Sequence, residues 1–200
     1  MTARYFRLTD KKTYIKKIVG GQTRPAANFF AKKRKIDLGE LMMDGIEIRR
    51  SGENDIPVLD KLLYEVHKVH SDVRPDIFKR GAKKYTDEEL KKIISDEKTP
   101  VFVAERHGVV LGYAFCIHKQ YINDNNMTDI KTLYIDDLCV DENARGLHIG
   151  KSLYEYVLDY AKNEGCYNVT LNVWADNINA VRFYEKIGMR VQKIGMEKIL

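Results

Sequence analysis

The sequence predicts an α/β domain built around a mixed sheet, and three observations support this prediction. A strand pattern at the start of the domain is followed by two helical patterns. Three strand patterns then follow one another with short connections, which is typical of a β-meander. A helix, a strand, a second helix and an extended segment complete the chain. This order predicts a mostly antiparallel central sheet with helices on both faces.

The first part of the domain contains one short strand and two helices. Residues 46–49 alternate between apolar and charged side chains, which predicts the strand. Pro57 opens the first helical pattern, and Thr86 with Glu89 forms a capping box that opens the second. The apolar faces comprise Leu59, Leu62, Leu63, Val66 and His70 in the first helix and Leu90, Ile93 and Ile94 in the second.

The meander comprises three strands that are joined by a tight turn and by a polar loop. His107-Gly108 is the turn, and residues 123–126 form the loop. The predicted strands are residues 101–104, 109–118 and 132–140.

A turn after the meander leads into a helix whose apolar side chains recur every four positions. Gly165 and Gly188 mark the predicted ends of this helix and of a shorter one. The predicted elements are a helix at 147–163, a strand at 168–174, a helix at 179–187 and an extended segment at 189–200 that closes the domain.

The charge of the chain is divided unevenly along its length. Residues 1–44 contain 11 Lys and Arg against four Asp and Glu, whereas residues 45–200 contain 23 against 25. The body of the chain therefore lacks the basic surplus of a nucleic-acid-binding domain. We place the domain at residues 45–200. Residues 1–44 are expected to be a poorly ordered basic extension, an RNA- or partner-binding arm, or sequence upstream of a start at Met42 or Met43.

Sequence features also bear on the compartment. No run approaches the roughly 18 apolar residues of a membrane-spanning helix, and the N-terminus lacks the apolar segment of a secretory signal. Cys116, Cys139 and Cys166 show neither metal nor redox spacing. We therefore expect unpaired thiols, with a catalytic thiol as the minor alternative, a cytoplasmic location and no membrane partner.

The segment from Asp137 to Lys151 carries the main functional signal. A strand runs into a turn at Arg145-Gly146, and a helix starts at once. The first turn of a helix has free N–H groups and the positive end of the helix dipole, which together bind phosphate. Gly146 and Gly150 leave the approach open, while Arg145 and Lys151 add positive charge. The pattern therefore predicts a diphosphate site.

Two common phosphate-binding motifs are excluded by spacing. A Walker A loop needs one residue more than lies between Gly146 and the Gly150-Lys151-Ser152 sequence. The dinucleotide fingerprint Gly-x-Gly-x-x-Gly is also absent from the chain.

The same segment resembles the cofactor loop of the GNAT acetyltransferases, whose pattern is Gln/Arg-x-x-Gly-x-Gly/Ala. Arg145 to Gly150 match this pattern except at His148, where the family usually has its first glycine. A second block, Asn177 to Met189, resembles the family's Asn-x-x-Ala-x-x-Phe-Tyr-x-x-x-Gly-Phe segment. The resemblance covers residues 45–200.

The resemblance implies a GNAT-like sheet with a splayed cofactor cleft, in which acetyl-CoA is the acetyl donor. A bulged strand before the loop is implied to offer main-chain groups of Leu138, Cys139 and Val140 to the cofactor arm. The other residues implied to contact the arm are Asn177, Ala180 and Tyr184. Those implied to hold the pyrophosphate are Arg145, Gly146, Leu147, His148, Ile149, Gly150 and Lys151.

The family transfers the acetyl group directly to a primary amine in a ternary complex, which implies three roles here. A carboxylate accepts the amine proton. Alternation places Asp136 and Asp137 on opposite faces, so we expect one of them, Asp136, to face the cleft. The alternative is a structural or capping role for both. An N–H near Leu138 stabilises the oxyanion, and Tyr184 is the family's usual proton donor to the thiolate.

Several alternatives stay open at this point. The imidazole of His148 contacts a phosphate, points away or crowds the cofactor. A non-catalytic acyl-CoA-binding sensor or partner module would keep the phosphate loop without needing Tyr184. Nucleic-acid binding would depend on residues 1–44. The acceptor is a small-molecule or peptide amine, and a homodimer is compatible with the family.

Two further candidates are weaker. His67 and His70 lie one helical turn apart, but no third ligand is evident, so no metal site is expected. Trp174, at the end of a strand, is expected to be a packing residue.

Overall fold

The structure is a computed structural model that describes residues 45–200. The predictions made for residues 1–44, namely a basic extension and a domain boundary before Gly45, lie outside the described residues.

The strands of residues 45–200 form a five-stranded sheet in which the strands are ordered as they are along the chain. The first four strands pair antiparallel, and β5 pairs with β4 in parallel. The strands are β1 (Ile46–Arg50), β2 (Val101–Arg106), β3 (Val109–Lys119), β4 (Thr132–Val140) and β5 (Asn168–Leu171). The predicted mixed and mostly antiparallel sheet is confirmed.

The helices are α1 (Ile56–Val73), α2 (Asp87–Ser95), α3 (Ile149–Asn163) and α4 (Ile178–Lys186). Pro57 lies in the first turn of α1, where its missing N–H has no helical partner to lose. The predicted capping box opens α2: Glu89 donates its N–H to Thr86 Oγ1 at 3.2 Å, and Thr86 donates its N–H to Glu89 Oε2 at 2.7 Å.

The two faces of the sheet have separate cores, so the predicted helices on both faces are confirmed. α1 and α2 cover one face, and α3 covers the other. The core under α1 and α2 includes Leu59, Leu62, Leu63, Leu90, Tyr113 and Cys139. The core under α3 includes Leu133, Ile135, Ile149, Leu153 and Val157.

β4 contains a bulge at Asp136. Two consecutive residues of β3 pair with Ile135 and with Asp137, so Asp136 is left without a partner residue. A bulge adds one residue to a strand and shifts the phase of its alternation. Accordingly, Ile135 packs under α3, whereas Cys139 packs under α1 and α2.

β4 and β5 separate at the same point. Their pairing runs from Thr132 and Asn168 to Ile135 and Leu171, where β5 ends, whereas β4 continues to Val140. β5 is therefore shorter than the predicted strand at 168–174. The second half of β4 has a free edge on this side, as expected for a splayed cleft.

Residues 189–200 form neither a helix nor a strand. The segment therefore adds no strand to the sheet, and the prediction that it closes the domain as an extended strand is wrong. Its apolar side chains are mostly exposed, as Met196 is at 94%. Gln192-Lys193 and Gly195 interrupt the apolar residues, so the segment offers no continuous apolar face to a neighbouring strand.

Gly112 on β3 lies too close to β4 for any side chain. A Cβ at this position would lie 2.7 Å from the Cys139 carbonyl oxygen. We expect Gly112→Ala to lower the free energy of unfolding by about 1–3 kcal/mol, because two main chains would have to separate. Urea denaturation measures this, with Gly52→Ala as the control because a Cβ there has no neighbour within 4 Å. Equal effects of the two changes would contradict the prediction.

Candidate active site

The connection between β4 and α3 forms a loop with unpaired main-chain donors. A short 3₁₀ turn at Glu142–Ala144 leads to Gly146, and α3 begins at Ile149, two residues after its predicted start. Within residues 45–200, no group accepts a hydrogen bond from the main-chain N–H groups of residues 146–151. These donors lie at the positive end of α3 and form a candidate anion site.

The two loop glycines have different surroundings. A Cβ at Gly146 would have no neighbour within 4 Å, whereas a Cβ at Gly150 would lie 3.4 Å from the Phe183 ring and 3.5 Å from the Val140 side chain. Gly146 has a φ of +85°, a conformation that favours glycine. Gly150 therefore lets α3 pack closely against α4, while Gly146 shapes the loop.

His148 also has a left-handed backbone, with φ +61° and ψ 8°, and its side chain is exposed. This conformation gives a physical reason for the glycine that the GNAT pattern has at this position, because a Cβ is disfavoured there. The exposed imidazole takes no part in the core.

We expect His148→Gly to raise the free energy of unfolding by about 1 kcal/mol, because it removes the left-handed strain. Ser152→Gly, inside α3, should lower it by a similar amount, since glycine is a poor helix former. Urea denaturation of the two variants measures both changes. A loss of stability in both would mean that His148 is not strained.

The free edge of β4 presents main-chain groups to the cleft. Asp141 donates its N–H to the Leu111 carbonyl on β3 at 2.9 Å. Because peptide groups alternate in direction along a strand, those of Leu138 and Val140 point away from β3, to the side where β5 has ended. By the same alternation, those of Cys139 point to β3.

Asp136 and Asp137 lie on the same face of the sheet. Lys84 Nζ is 3.0 Å from Asp136 Oδ2 and 3.2 Å from Asp137 Oδ2. The Tyr85 hydroxyl donates to Asp136 at 3.3 Å. The prediction that alternation puts the two carboxylates on opposite faces is therefore wrong, because the bulge at Asp136 interrupts the alternation.

The two carboxylates of the Lys84 ion cluster differ in burial. The side chain of Asp137 is 11% exposed, and that of Asp136 is 26% exposed. Burial raises the pKa of Asp137, although the charge of Lys84 opposes this shift. Burial acts to lower the pKa of Lys84, but the charges of Asp137 and Asp136 outweigh it and raise that pKa. Lys84 is therefore held as an ammonium between the carboxylates.

Tyr184 on α4 lies near this ion cluster. Burial raises the pKa of its hydroxyl, and the charge of Asp137 raises that pKa further. The phenol therefore stays protonated at neutral pH, as a proton donor must. Asn177 caps α4 by accepting a hydrogen bond from the Ala180 N–H at 3.2 Å, so it fixes the start of the helix that carries Tyr184.

Residues 63–189 match the model of the acetyltransferase (GNAT) family, which is more than half of the chain. The chain belongs to the GNAT acetyltransferase family. The match includes both the predicted phosphate loop and the helix with Tyr184. The family predicted from the sequence is confirmed, and membership supports the interpretation of this chain as an acyltransferase.

Named relatives agree with the GNAT assignment. A stretch of 68 residues is 40% identical to glucosamine 6-phosphate N-acetyltransferase of Arabidopsis thaliana and covers 34% of this chain and 44% of that protein. The chain thus spans less than half the length of this curated relative. The solved structure of the tetramutant of the BH1408 protein from Bacillus halodurans is 32% identical, with a TM-score of 0.74 over 77% of this chain and 99% of that one.

A more distant structure shares the GNAT fold. It is an aminoglycoside acetyltransferase from an uncultured soil metagenomic sample, solved in complex with sisomicin. It is 20% identical, with a TM-score of 0.58, and the likeness covers 78% of this chain and 97% of that one. Among the described helices of this GNAT chain, none is long and apolar enough to cross a membrane.

Two of the three thiols of this GNAT domain are unsuited to nucleophilic catalysis. Cys116 and Cys139 are buried and unpaired. Burial raises the pKa of each of these thiols to about 12. Because the thiolate is the reactive form, such groups are inert at neutral pH.

The two helical histidines lie in an aromatic cluster. His67 Nε2 is 2.6 Å from a main-chain carbonyl oxygen of the following loop, and His70 stacks on Phe78 at 5.4 Å. Phe78 packs edge-on against Trp174 at 5.7 Å, and the Arg74 guanidinium lies 5.6 Å from the Trp174 ring. Within residues 45–200, no three or more metal-ligating side chains form a group. These contacts agree with a packing role for Trp174.

Lys84 and Tyr85 are site residues that the sequence analysis did not identify. Lys84 lies 52 residues before Asp136 along the chain, in a segment with no phosphate or catalytic motif. One signal was present: two adjacent aspartates that face the same side of a sheet require a nearby cation. That signal depends on the bulge, which the sequence pattern did not locate.

Proposed function

We propose that this chain transfers the acetyl group of acetyl-CoA directly to a primary amine in a ternary complex. One observation carries the proposal. β4 parts from β5 after Ile135, immediately before the paired carboxylates, and the loop that follows β4 carries the unpaired amides of residues 146–151. An extended arm, a diphosphate and a proton acceptor can therefore be accommodated along one strand.

The donor is proposed to bind along this strand. The free groups of Leu138 and Val140 suit the amides of an extended pantetheine arm, which would add to the sheet as a strand does. Arg145 to Lys151 supply main-chain donors and positive charge for the pyrophosphate. Asn177 and Ala180, at the start of α4, are proposed to contact the arm as well. Beside the loop lies an open cleft of about 660 Å³, lined in part by Arg145 and α1.

The proposed chemistry is a single acyl transfer. A carboxylate takes a proton from the acceptor ammonium, and the amine nitrogen then attacks the thioester carbonyl carbon. The attacking nitrogen then loses its second proton to solvent, and the C–S bond breaks as the amide forms. The N–H of Leu138, which points into the cleft, stabilises the oxyanion. Tyr184 gives its proton to the departing thiolate and is reprotonated by solvent.

We assign the base role to Asp137 and revise the choice of Asp136 that the sequence favoured. Both carboxylates contact the same ammonium, so their distances to Lys84 do not distinguish them. Burial raises the pKa of Asp137, and a base is more effective when its pKa lies nearer the working pH.

The acceptor is proposed to be a small-molecule amine. The 40% identity to a glucosamine 6-phosphate N-acetyltransferase makes amino sugars the first class to test. The unpaired cysteines favour a cytoplasmic location.

The first test is a calorimetric titration with acetyl-CoA, for which we expect one-to-one binding at about micromolar affinity. Pantetheine, which lacks the phosphates, should bind much more weakly if the loop holds the pyrophosphate. Thiol release with a panel of amino sugars and polyamines then measures transfer. Failure to bind acetyl-CoA would mean that His148 disables the loop, and the proposed activity would be withdrawn.

A further inference from the structure

Lys119, at the end of β3, lies on the face of the sheet that carries the proposed active site. Phe115 on β3 packs in the core under α1 and α2, and Lys119 lies an even number of residues further along the strand, so alternation puts both on that face. Lys119 Nζ is 3.3 Å from the centre of the Tyr134 ring on β4. Burial raises the pKa of the Tyr134 hydroxyl, and the charge of Asp136 raises it further. Lys119 and Tyr134 are therefore neighbours of the carboxylates.

The core under α1 and α2 does not extend to this part of the face. Within residues 45–200, that core includes β3 only as far as Phe115 and β4 only from Cys139. Lys119 is exposed, and so is Asn172, which follows β5 and donates a side-chain N–H to the Tyr134 hydroxyl at 3.1 Å. The face thus presents an ammonium, a phenol and an amide on an open surface beside the proposed base.

The charge of Lys119 is available to a ligand. Lys84 and Lys131 each pair with a carboxylate, whereas Lys119 forms no ion pair with any carboxylate of residues 45–200. An aromatic ring attracts an ammonium without neutralising its charge. The Tyr134 ring therefore fixes the position of a cation that keeps its N–H donors. Because the Tyr134 hydroxyl accepts from Asn172, its own hydrogen can also be donated to an anion.

The distance from this cation to the proposed base suits a sugar. Successive strand residues rise by about 3.3 Å, so Tyr134 and Asp137, the proposed base, are within about 10 Å of each other along β4. A phosphate on one side of a six-membered sugar ring and an amino group on the other fit within this distance. An amino sugar whose nitrogen faces Asp137 can thus reach Lys119 with its phosphate.

We infer that Lys119 binds a phosphate group of the acceptor, so that the chain selects phosphorylated amino sugars over their neutral counterparts. The identification of the phosphate as part of the acceptor rests on the proposed function. An ammonium and a phosphate form a charge-assisted hydrogen bond, which is stronger than a bond between neutral groups. Lys119 contacts the substrate away from the reacting atoms, so it determines specificity and leaves the chemical step unchanged.

The test is calorimetric binding of glucose 6-phosphate to the full chain without acetyl-CoA, with glucose as the neutral counterpart. We expect glucose 6-phosphate to bind about tenfold more tightly than glucose. Lys119→Met keeps an apolar stem on the Tyr134 ring and should abolish this preference. Lys92→Met is the matched control, because Lys92 is an exposed lysine on α2 that forms no ion pair in the described part of the chain. It should keep the preference.

Three outcomes would overturn the inference. One is the absence of any preference for glucose 6-phosphate in the unaltered chain. Another is a preference that survives Lys119→Met, which would place the phosphate elsewhere, such as at the loop of residues 146–151. The third is inorganic phosphate binding as tightly as glucose 6-phosphate, which would indicate a site for free phosphate rather than for a sugar.

Chemical modification of the unaltered chain keeps the inference testable if Lys119→Met fails to fold. Acetylation by an N-hydroxysuccinimide ester is followed at each lysine by mass spectrometry. Glucose 6-phosphate at about ten times its dissociation constant should slow modification of Lys119 by about tenfold and leave Lys92 unaffected. Equal rates at Lys119 with and without the ligand would overturn the inference.

These experiments separate the phosphate site from the proposed activity, because none of them uses acetyl-CoA. Their failure would leave the proposed transferase activity intact. Conversely, binding of glucose 6-phosphate through Lys119 without any binding of acetyl-CoA would retain the phosphate site, and the proposed transferase activity would be withdrawn.

Discussion

Replacing Tyr184 by phenylalanine is expected to lower the kcat for acetyl transfer by about 100-fold and to leave the dissociation constant of acetyl-CoA unchanged. The change removes only the hydroxyl, whose pKa is raised by burial and by the charge of Asp137. In the proposed mechanism this proton goes to the departing thiolate, so its loss affects the chemical step rather than binding. Thiol release gives the rate, and calorimetry gives the affinity.

Tyr154→Phe is the matched control for this experiment. Tyr154 is buried whereas Tyr184 is half-buried, and burial raises the pKa of both, but Tyr154 has no part in the proposed proton transfer. Its loss should leave kcat unchanged. Equal kcat values in Tyr184→Phe and the unaltered chain would remove Tyr184 from the mechanism. Acetyl-CoA binding without turnover of any amine by the unaltered chain would instead favour a non-catalytic binding module.

Asp137→Asn is expected to lower kcat/KM by about 100- to 1,000-fold, because asparagine keeps the shape of the side chain but cannot accept the proton. The unaltered chain should also show a characteristic pH profile. The base works only when ionised, so the rate is full above the pKa of Asp137 and falls as the pH drops through it. Burial raises that pKa, so the fall begins at a higher pH than an exposed aspartate, with a pKa of about 3.9, would give.

Asp136→Asn is the comparison that distinguishes the two carboxylates. It removes a neighbouring charge that contacts the same Lys84 nitrogen, so it controls for the loss of that ion pair. We expect a smaller loss of kcat/KM and an acid limb that is retained. A larger loss than in Asp137→Asn would return the base role to Asp136.

The sequence was informative about the fold wherever periodicity and end signals agreed. The helix of the capping box begins at Asp87, directly after Thr86. The strand predicted at 132–140 has those bounds in the structure. The prediction failed at residues 189–200, where scattered apolar residues alone suggested an extended closing segment. Apolar content without regular alternation specifies no sheet partner.

Local motifs were sufficient to predict a phosphate loop, and the structure has unpaired amides there, since these donors come from consecutive residues. The arrangement of the carboxylates was not visible, because it depends on a bulge and on Lys84, a residue from a distant segment. A bulge is defined by which residues of two strands pair, and one strand alone does not contain that information. The partner of the aspartates therefore had to come from the structure.

The bulge at Asp136 has a consequence for how this chain can change over time. The bulge shifts the alternation of β4 by one residue. As a result, Ile135 before the bulge packs in the core under α3, whereas Cys139, four residues later, packs in the core under α1 and α2. Loss of a single residue there would restore plain alternation and turn Cys139 out of the core under α1. The connection after β3 has no such constraint, since its residues are exposed. We therefore expect insertions and deletions in β4 to be tolerated as poorly as substitutions of its core residues.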